Sequence, residues 1–254
     1  GHDDLLVTAW GHLTLWRNRG DGTFQDVSEQ TGLRAAGERW WSGATFLDYD
    51  RDGDLDLFVA VYIDGYDIAK VPKPGVDPNC NWKGLPVACG PRGLRTASPH
   101  LFRNDAGKFV DVSRSGGIAG SACFGMTAVA ADFSADGWPD IYLACDSTPS
   151  LLFINTGKGA FREEGIERGV ALNDDGREQA GMGLGIGDFL PLAIACQGPQ
   201  RRLDSGPMLF LLRREPKRGL ETGNPGFQAR AHFRLRLKPC KSQHEQAGDQ
   251  RLPH

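Results

Sequence analysis

The sequence predicts an all-β fold, a partial β-propeller of four-stranded blades. Two observations predict it. An acidic loop between two apolar runs occurs more than once, and a hairpin-like block follows each loop. The repeat is about fifty residues long, the length of a four-stranded propeller blade. With 254 residues, 40% of them hydrophobic, the chain is long enough to bury a substantial core as one domain.

The first acidic loop reads D-x-D-x-D-G-x-x-D over residues 48–56. Alternate carboxylates converge on one point only if the chain curls, and Gly53 permits that curl. Several oxygen ligands suit calcium better than zinc, which prefers nitrogen and sulfur. The loop is not an EF-hand, because Val59 stands where an EF-hand has its Glu and residues 55–62 are strand-like. The alternative is an acidic, solvated turn.

The predicted calcium ligands of this loop are four side chains and one main-chain carbonyl, that of Asp54. The side-chain ligands are Asp48, Asp50, Asp52 and Asp56. The same spacing returns at residues 132–140, with Ser in place of the second Asp. The equivalent residues there are Asp132, Ser134, Asp136, Trp138 and Asp140. Because Gly1 overlays Gly53 and a further copy begins at Gly187, we expect the sequence to start inside a loop and to contain only part of a propeller.

A block of two short strands around an Asn/Gly turn follows each loop, which is typical of a hairpin. Its Asn recurs at Asn18, Asn104 and Asn155, and the longer first interval carries an insert of about thirty residues. Alternating glycines from Gly181 to Gly187 predict a closely packed inner strand. They do not form a nucleotide-binding loop, because no G-x-G-x-x-G is present there.

These loops and blocks resemble the FG-GAP/VCBS repeat family, whose calcium-loop blades build the propeller of integrin α-chains. Residues 80–94 resemble an insert of bacterial proteins related to cartilage acidic protein, and residues 131–142 and 174–183 fit the same group. In those proteins an ASPIC/UnbV domain usually follows the repeats. The resemblance covers about residues 1–189. The sequence departs from the pattern at Ser134, at the truncated first loop and in having no recognisable ASPIC/UnbV part.

Charge divides the chain into two parts at about residue 190. Residues 191–254 hold 12 basic and 5 acidic residues, a net charge of +7, whereas residues 1–190 hold 17 basic and 27 acidic residues, a net charge of −10. We therefore predict a repeat region at 1–189 and a basic tail at 190–254. The tail is read as disordered or frame-shifted, with short strands at 208–212 and 233–237. The alternative is a basic arm for nucleic acid or acidic polysaccharide.

Cysteine usage indicates an oxidising compartment. Cys80 and Cys89 bracket the Pro/Gly-rich insert and form the disulfide candidate, whereas Cys123 and Cys145 are interpreted as buried thiols. Calcium loops of this kind also suit extracellular calcium concentrations. We therefore expect a secreted, periplasmic or cell-surface protein. No apolar run approaches the length of a membrane span.

Three functions remain open from the sequence. The first is a non-catalytic, calcium-stabilised module for adhesion to an extracellular protein or glycan, with no nucleic-acid partner. The second is the scaffold of a secreted hydrolase or lyase, for which the only polar cluster outside the loops is Asp174, Asp175, Arg177 and Glu178. A charged turn is the simpler interpretation of that cluster, and His100 is interpreted as a surface residue. The third is a fragment without independent activity that self-associates through open blade edges.

Overall fold

The computed structural model describes residues 2–65, 73–75, 80–87, 90–186, 212–214 and 233–235. The regular secondary structure of the described part is almost entirely β-strand, and it includes one short 3-10 helix, Leu33–Ala36. Three antiparallel sheets follow one another along the chain, two of them with four strands each. This architecture confirms the predicted all-β, propeller-like fold.

Strands of each sheet are consecutive in the sequence, apart from the insert in the second sheet. The first sheet contains β1 (Leu5–Thr8), β2 (Leu13–Asn18) and β3 (Phe24–Asp26). The second sheet contains β4 (Trp41–Leu47), β5 (Asp56–Val61), β8 (His100–Asp105) and β9 (Lys108–Asp111), and the insert between β5 and β8 contains β6 (Asn81–Trp82) and β7 (Leu85–Pro86). The third sheet contains β10 (Gly125–Ala131), β11 (Asp140–Cys145), β12 (Leu151–Asn155) and β13 (Phe161–Glu163).

Both complete acidic loops join two antiparallel strands. Leu47 of β4 pairs with Asp56 of β5, and Ala131 of β10 pairs with Asp140 of β11. Strands rather than helices were predicted on both sides of each loop, and the structure confirms this prediction. The final Asp of each loop is therefore the first residue of a strand.

The strand that directly follows each loop is buried on both faces. Every residue of β5 and of β11 is buried. Side chains alternate across a strand, so Leu57 and Val59 join the core facing the first sheet, whereas Phe58 and Ala60 join the core facing the third sheet. This two-sided burial explains why these strands are continuous apolar runs in the sequence.

The sheets pack face to face through these two cores. Phe58 of the second sheet meets Phe153 of the third, with ring centroids 5.9 Å apart. Leu13 and Leu15 of the first sheet pack in the same cluster as Leu57. Three blades thus stand side by side, each burying one face against the next.

Strands β4 and β10 lie directly against each other, and a glycine makes the approach possible. A Cβ added at Gly43 would collide with the Met126 carbonyl oxygen and would lie 2.7 Å from Thr127 Cα. Beside this contact, the Ser42 hydroxyl donates to the Gly125 carbonyl at 2.7 Å. The two backbones therefore touch without an intervening side chain.

We expect Gly43→Ala to destabilise the protein by about 1–3 kcal/mol, because the clash is with backbone that cannot rotate away. Gly183→Ala is the matched control, since nothing lies within 4 Å of its added Cβ and no positive φ is recorded there. Urea denaturation followed by circular dichroism measures both variants. Equal midpoints for the two variants would show that β4 and β10 do not pack this closely.

The predicted inner strand at residues 181–187 is not found among the described residues. Residues 181–186 have no strand assignment, although Ala180 forms a bridge with Asp146 and the Gly181 N–H donates to the Cys145 carbonyl at 3.1 Å. Close packing holds at Gly181, whose added Cβ would lie 3.2 Å from Ala144 Cβ, but Gly183 and Gly185 face open space. The strand predicted from the alternating glycines was therefore wrong for residues 181–186. A strand requires successive hydrogen bonds to a neighbouring strand, which the spacing of glycines does not supply.

Cys123 and Cys145 were interpreted as buried thiols; both are buried, but the interpretation as thiols was wrong. The two residues form a disulfide, with Cα atoms 6.1 Å apart across 22 residues. The hairpin explains this pairing, because Gly125 at the start of β10 pairs with Cys145 at the end of β11. Cys123 precedes Gly125 by two residues, so the register places the two cysteines together.

The other predicted disulfide and most of the tail lie wholly or partly outside the described residues. Cys80 is buried, but Cys89 falls outside them, so that pair stays a prediction. In the tail the structure describes two short antiparallel strands, β14 (Leu212–Arg214) and β15 (Phe233–Leu235). In the described part of the chain, no helix is both long and apolar enough to cross a membrane.

Candidate metal centre

The first acidic loop is a tight curl held by its own carboxylates. The Asp54 N–H donates to Asp52 Oδ1 at 2.9 Å, and the Asp52 N–H donates to Asp50 Oδ1 at 3.3 Å. Gly53 has a φ of 95°, a value that favours glycine, and Arg51 also adopts a positive φ of 63°. The curl predicted from the sequence is therefore present in the structure.

Three of the predicted ligands come together in this curl. One carboxylate oxygen each from Asp48, Asp50 and Asp56 lies within 4.8 Å of the other two. The described residues contain no second such group of acidic, His or Cys side chains. Three carboxylates this close repel one another unless a cation lies among them.

The buried oxygens of this cluster favour a cation. Asp48 Oδ1 is buried and accepts no hydrogen bond, the only such side-chain atom in the described part of the chain. Asp56 is fully buried; burial raises its pKa to about 6, backbone N–H groups of Asn104 and Tyr49 lower it, and Asp50 and Asp52 raise it. A hard, oxygen-binding cation would satisfy the first atom and stabilise the ionised form of the second.

The carboxylates of Asp52 and Asp54 are not in the cluster. Asp52 makes the turn bond described above, and its carboxylate is not among the three that gather. The side chain of Asp54 accepts a hydrogen bond from the Ala106 N–H at 3.2 Å, which ties the loop to the β8–β9 hairpin. The predicted role of the Asp54 main-chain carbonyl stays a prediction.

The second acidic loop is closed by its own backbone. Asp132 accepts from the Asp136 N–H at 3.1 Å and from the Gly137 N–H at 2.9 Å, so both of its oxygens have partners. Ser134 donates its N–H to Asp140 at 2.8 Å, and the Trp138 N–H donates to Asp136 at 2.8 Å. The carboxylates of Asp132, Asp136 and Asp140 are not drawn together as those of the first loop are, and the predicted roles of Ser134 and Trp138 stay predictions.

Asp140 nevertheless has the same environment as Asp56. It is fully buried; burial raises its pKa to about 6, N–H groups of Asn155 and Ser134 lower it, and Asp136 raises it. The two strand-initial aspartates are thus equivalent in position and in electrostatics.

The two loops are in direct contact. The Arg51 guanidinium of the first loop donates to the Gly137 carbonyl of the second and lies over the Trp138 ring, with Cζ 4.1 Å from the ring centroid. The Asn155 amide donates to the Tyr49 carbonyl at 2.8 Å, between two ligands of the first loop. The geometry of one loop therefore depends on its neighbour.

A repeated Asp–Asn pair supports each loop, and sequence reasoning missed it. In the second sheet the Asn104 N–H donates to Asp56 at 2.9 Å, and the Asn104 side-chain amide donates to the Leu55 carbonyl at 3.0 Å. The same pattern joins Asn18 to Asp4 and Asp3 (2.8 and 3.1 Å), and Asn155 to Asp140 and Pro139 (2.8 and 3.2 Å). The recurrence of these asparagines, one after each loop, was the available signal, but it was interpreted only as a turn.

The cluster considered for an enzyme is a surface turn. Asn173 Oδ1 accepts from the backbone N–H groups of Asp175 and Arg177, at 3.1 and 2.8 Å. Residues 174–178 are all exposed. This geometry agrees with the simpler interpretation, a charged turn.

A comparison with protein families gives one match. Residues 1–59 match the FG-GAP-like repeat. The matched stretch runs from the first sheet through the first acidic loop into β5, so it includes the three clustered aspartates. No curated protein matches the chain.

FG-GAP-like repeats occur in extracellular proteins of adhesion and binding, and they are generally non-catalytic. The Cys123–Cys145 disulfide fits an extracellular environment, which is oxidising. The match covers 59 of the 254 residues and supports an FG-GAP-like repeat protein.

Proposed function

We propose that this chain is a calcium-binding, non-catalytic repeat module of a secreted or cell-surface protein, and that it binds an extracellular protein or glycan. Asp48, Asp50 and Asp56 would hold the ion by side-chain oxygens, with Asp52 and the Asp54 carbonyl joining when the loop tightens. The observation that carries the proposal is the buried Asp48 Oδ1, which lacks a hydrogen bond inside a group of three carboxylates.

The role assigned to the ion is structural. The loop joins β4 to β5, and it is bonded to the β8–β9 hairpin, to the second loop and to β12. A cation there would relieve carboxylate repulsion and fix these contacts, which would hold the loops of adjacent blades in one shape. A binding partner would then meet a rigid surface.

A kinship with bacterial relatives of cartilage acidic protein belongs to the same proposal. It is supported by the sequence of residues 80–94, whose Trp82 is half exposed and carries Lys83 Nζ 4.5 Å from its ring centroid. An exposed aromatic side chain of this kind suits contact with a protein or a sugar.

We expect 10 mM CaCl₂ to stabilise the protein by about 1.4–2.7 kcal/mol relative to EDTA, the gain for an affinity of about 0.1–1 mM. The melting temperature should then rise by roughly 3–10 °C. Differential scanning calorimetry measures it. Magnesium should give a smaller shift, because it retains its water and demands a stricter geometry. Equal shifts for both ions would mean that calcium is the wrong assignment, and no shift with either would refute the metal site.

A further inference from the structure

A polar cavity of about 270 Å³ lies at the end of the second sheet opposite the acidic loop. Its polar lining comes from Arg39, Asp64, Thr96, Ser98 and His100. Arg39 precedes β4, Asp64 follows β5, and Thr96, Ser98 and His100 lie before or at the start of β8. The acidic loop joins the opposite ends of β4 and β5. The size corresponds to one small ligand.

A chain of hydrogen bonds positions Arg39 at this cavity. Arg39 Nε donates to His100 Nε2 at 3.1 Å, so the proton of His100 is on Nδ1, which donates to Asp111 at 2.8 Å. Asp111 is itself held by the N–H and hydroxyl of Ser113, at 2.9 and 2.5 Å. His100 is thus largely enclosed and bonded on both ring nitrogens, and its interpretation as a surface residue was wrong.

Hydrogen bonds keep Asp111 ionised. Burial alone would raise its pKa, but the bonds from His100 and Ser113 outweigh burial and lower the pKa to about 2. The His100 ring lies between this carboxylate and the Arg39 guanidinium, and His100 and Asp111 act as positioning residues.

The charge of Arg39 has no carboxylate partner in the described part of the chain. Only Nε is used, and the two Nη nitrogens make no hydrogen bond or ion pair there. The other charged pair at the cavity is already matched, because Arg95 Nη2 lies 2.6 Å from Asp64. A guanidinium with two free Nη groups suits a planar carboxylate, which it binds by two parallel hydrogen bonds.

The rest of the lining suits hydroxyl groups. Thr96 and Ser98 offer side-chain hydroxyls, which both donate and accept, and Asp64, whose Oδ2 is paired with Arg95, offers its other carboxylate oxygen as an acceptor. One cation, two hydroxyls and one carboxylate match a polyhydroxylated acid better than an inorganic phosphate, because the acid carries several hydroxyl groups that can donate to Asp64 and bond Thr96 and Ser98.

The backbone segment that carries Thr96 and Ser98 is held in place by hydrogen bonds and by the disulfide. Ala97 and Cys123 exchange two backbone hydrogen bonds of 3.3 and 3.1 Å, and Cys123 is bonded to Cys145 of β11. Thr96 and Ser98 flank this bridge. The cavity is therefore preformed, which lowers the ordering cost of binding.

We propose that this cavity binds a hexuronate, a sugar acid whose carboxylate pairs with the Nη groups of Arg39 and whose hydroxyls bond Thr96, Ser98 and Asp64. The inference rests on the proposed binding function and names its ligand class. It uses no residue of the acidic loop, so the two can fail separately.

The test is calorimetric titration of the full chain, in 10 mM CaCl₂, with glucuronate, with glucose and with a glucuronate-containing disaccharide. We expect glucuronate to bind at least about tenfold more tightly than glucose, because only glucuronate offers the carboxylate. Arg39→Gln should weaken glucuronate binding by about tenfold or more. Arg114→Gln, an exposed arginine outside the cavity, is the control and should leave binding unchanged.

Each outcome separates the possibilities. Tighter binding of the disaccharide would identify a polysaccharide as the source of the uronate, and equal binding would identify the free acid; both support the proposal. Glucose binding as tightly as glucuronate, an Arg39→Gln variant that binds normally, or no binding at all would overturn it. The calcium-dependent rise in melting temperature, measured on the same samples, shows separately whether the metal module is intact.

Discussion

Asp50→Ala is expected to abolish most of the calcium-dependent stabilisation while leaving the calcium-free protein as stable as before, or slightly more stable. The residue supplies one of the three clustered oxygens, and its one hydrogen bond is a long 3.3 Å contact from the Asp52 N–H. Removing it takes away a ligand and also relieves repulsion on Asp56, where Asp50 raises the pKa. Loss of an ordinary structural residue would instead lower stability in both conditions.

Calorimetry in EDTA and in 10 mM CaCl₂ separates these effects. The expected change is the loss of most of the roughly 3–10 °C calcium gain. Asp175→Ala is the matched control, because Asp175 is exposed in a turn remote from the cluster in sequence, and it should keep the full gain. Asp136→Ala tests the second loop and should remove little of the calcium gain, because the carboxylates of that loop do not lie together in a cluster. A full calcium response in Asp50→Ala would show that the ion binds elsewhere.

The features that were predictable from the sequence are those with a regular spacing. The alternation of Asp48, Asp50 and Asp52, the glycine that follows them and the apolar run after Leu55 express local backbone geometry, so they identified a curled loop between two strands. Burial of β5 on both faces was visible as an unbroken apolar run. These signals are local, and they do not depend on how the blades are arranged.

Contacts between distant residues were not predictable. Arg39 and His100 are 61 positions apart, and Asn155 and Tyr49 are 106 apart, so no pattern in a single sequence joins them. The Cys123–Cys145 pair follows from the β10–β11 register, which the sequence leaves undetermined to within a few residues. The glycines after Gly181 show that a regular spacing can also mislead. Their alternation was interpreted as a strand, although nothing in the sequence identified a neighbouring strand with which it would pair.

Asn155→Ala is expected to be among the most destabilising substitutions in the chain, by about 2–4 kcal/mol. The side chain is 1% exposed, and its amide donates to the Tyr49 carbonyl at 2.8 Å and to the Pro139 carbonyl at 3.2 Å. Its oxygen accepts from the Gly157 N–H at 2.9 Å. Alanine would leave these groups without partners where water does not reach the side chain, and an unpaired buried polar group costs more than the bond it replaces.

Asn104→Ala provides the matched control, because Asn104 holds the equivalent position in the second sheet. Its amide nitrogen donates to the Leu55 carbonyl at 3.0 Å and its oxygen accepts from the Gly107 N–H at 2.7 Å, but both bonds are exposed to solvent, so the expected cost is about 1 kcal/mol or less. Urea midpoints of the two variants give the comparison. Equal costs would mean that the Tyr49 contact contributes nothing.

Asn155→Ala should also weaken calcium binding, because the Tyr49 carbonyl lies between Asp48 and Asp50 and is held from the neighbouring sheet by this amide. A calcium titration of the melting temperature would then need more calcium to reach half of its gain, whereas Asn104→Ala, which is bonded to Asp56 only through its backbone N–H, should need little more. The result would establish whether the metal loop is a property of one hairpin or of two adjacent blades. An unchanged calcium midpoint in Asn155→Ala would mean that the first loop adopts its curl without help from the third sheet.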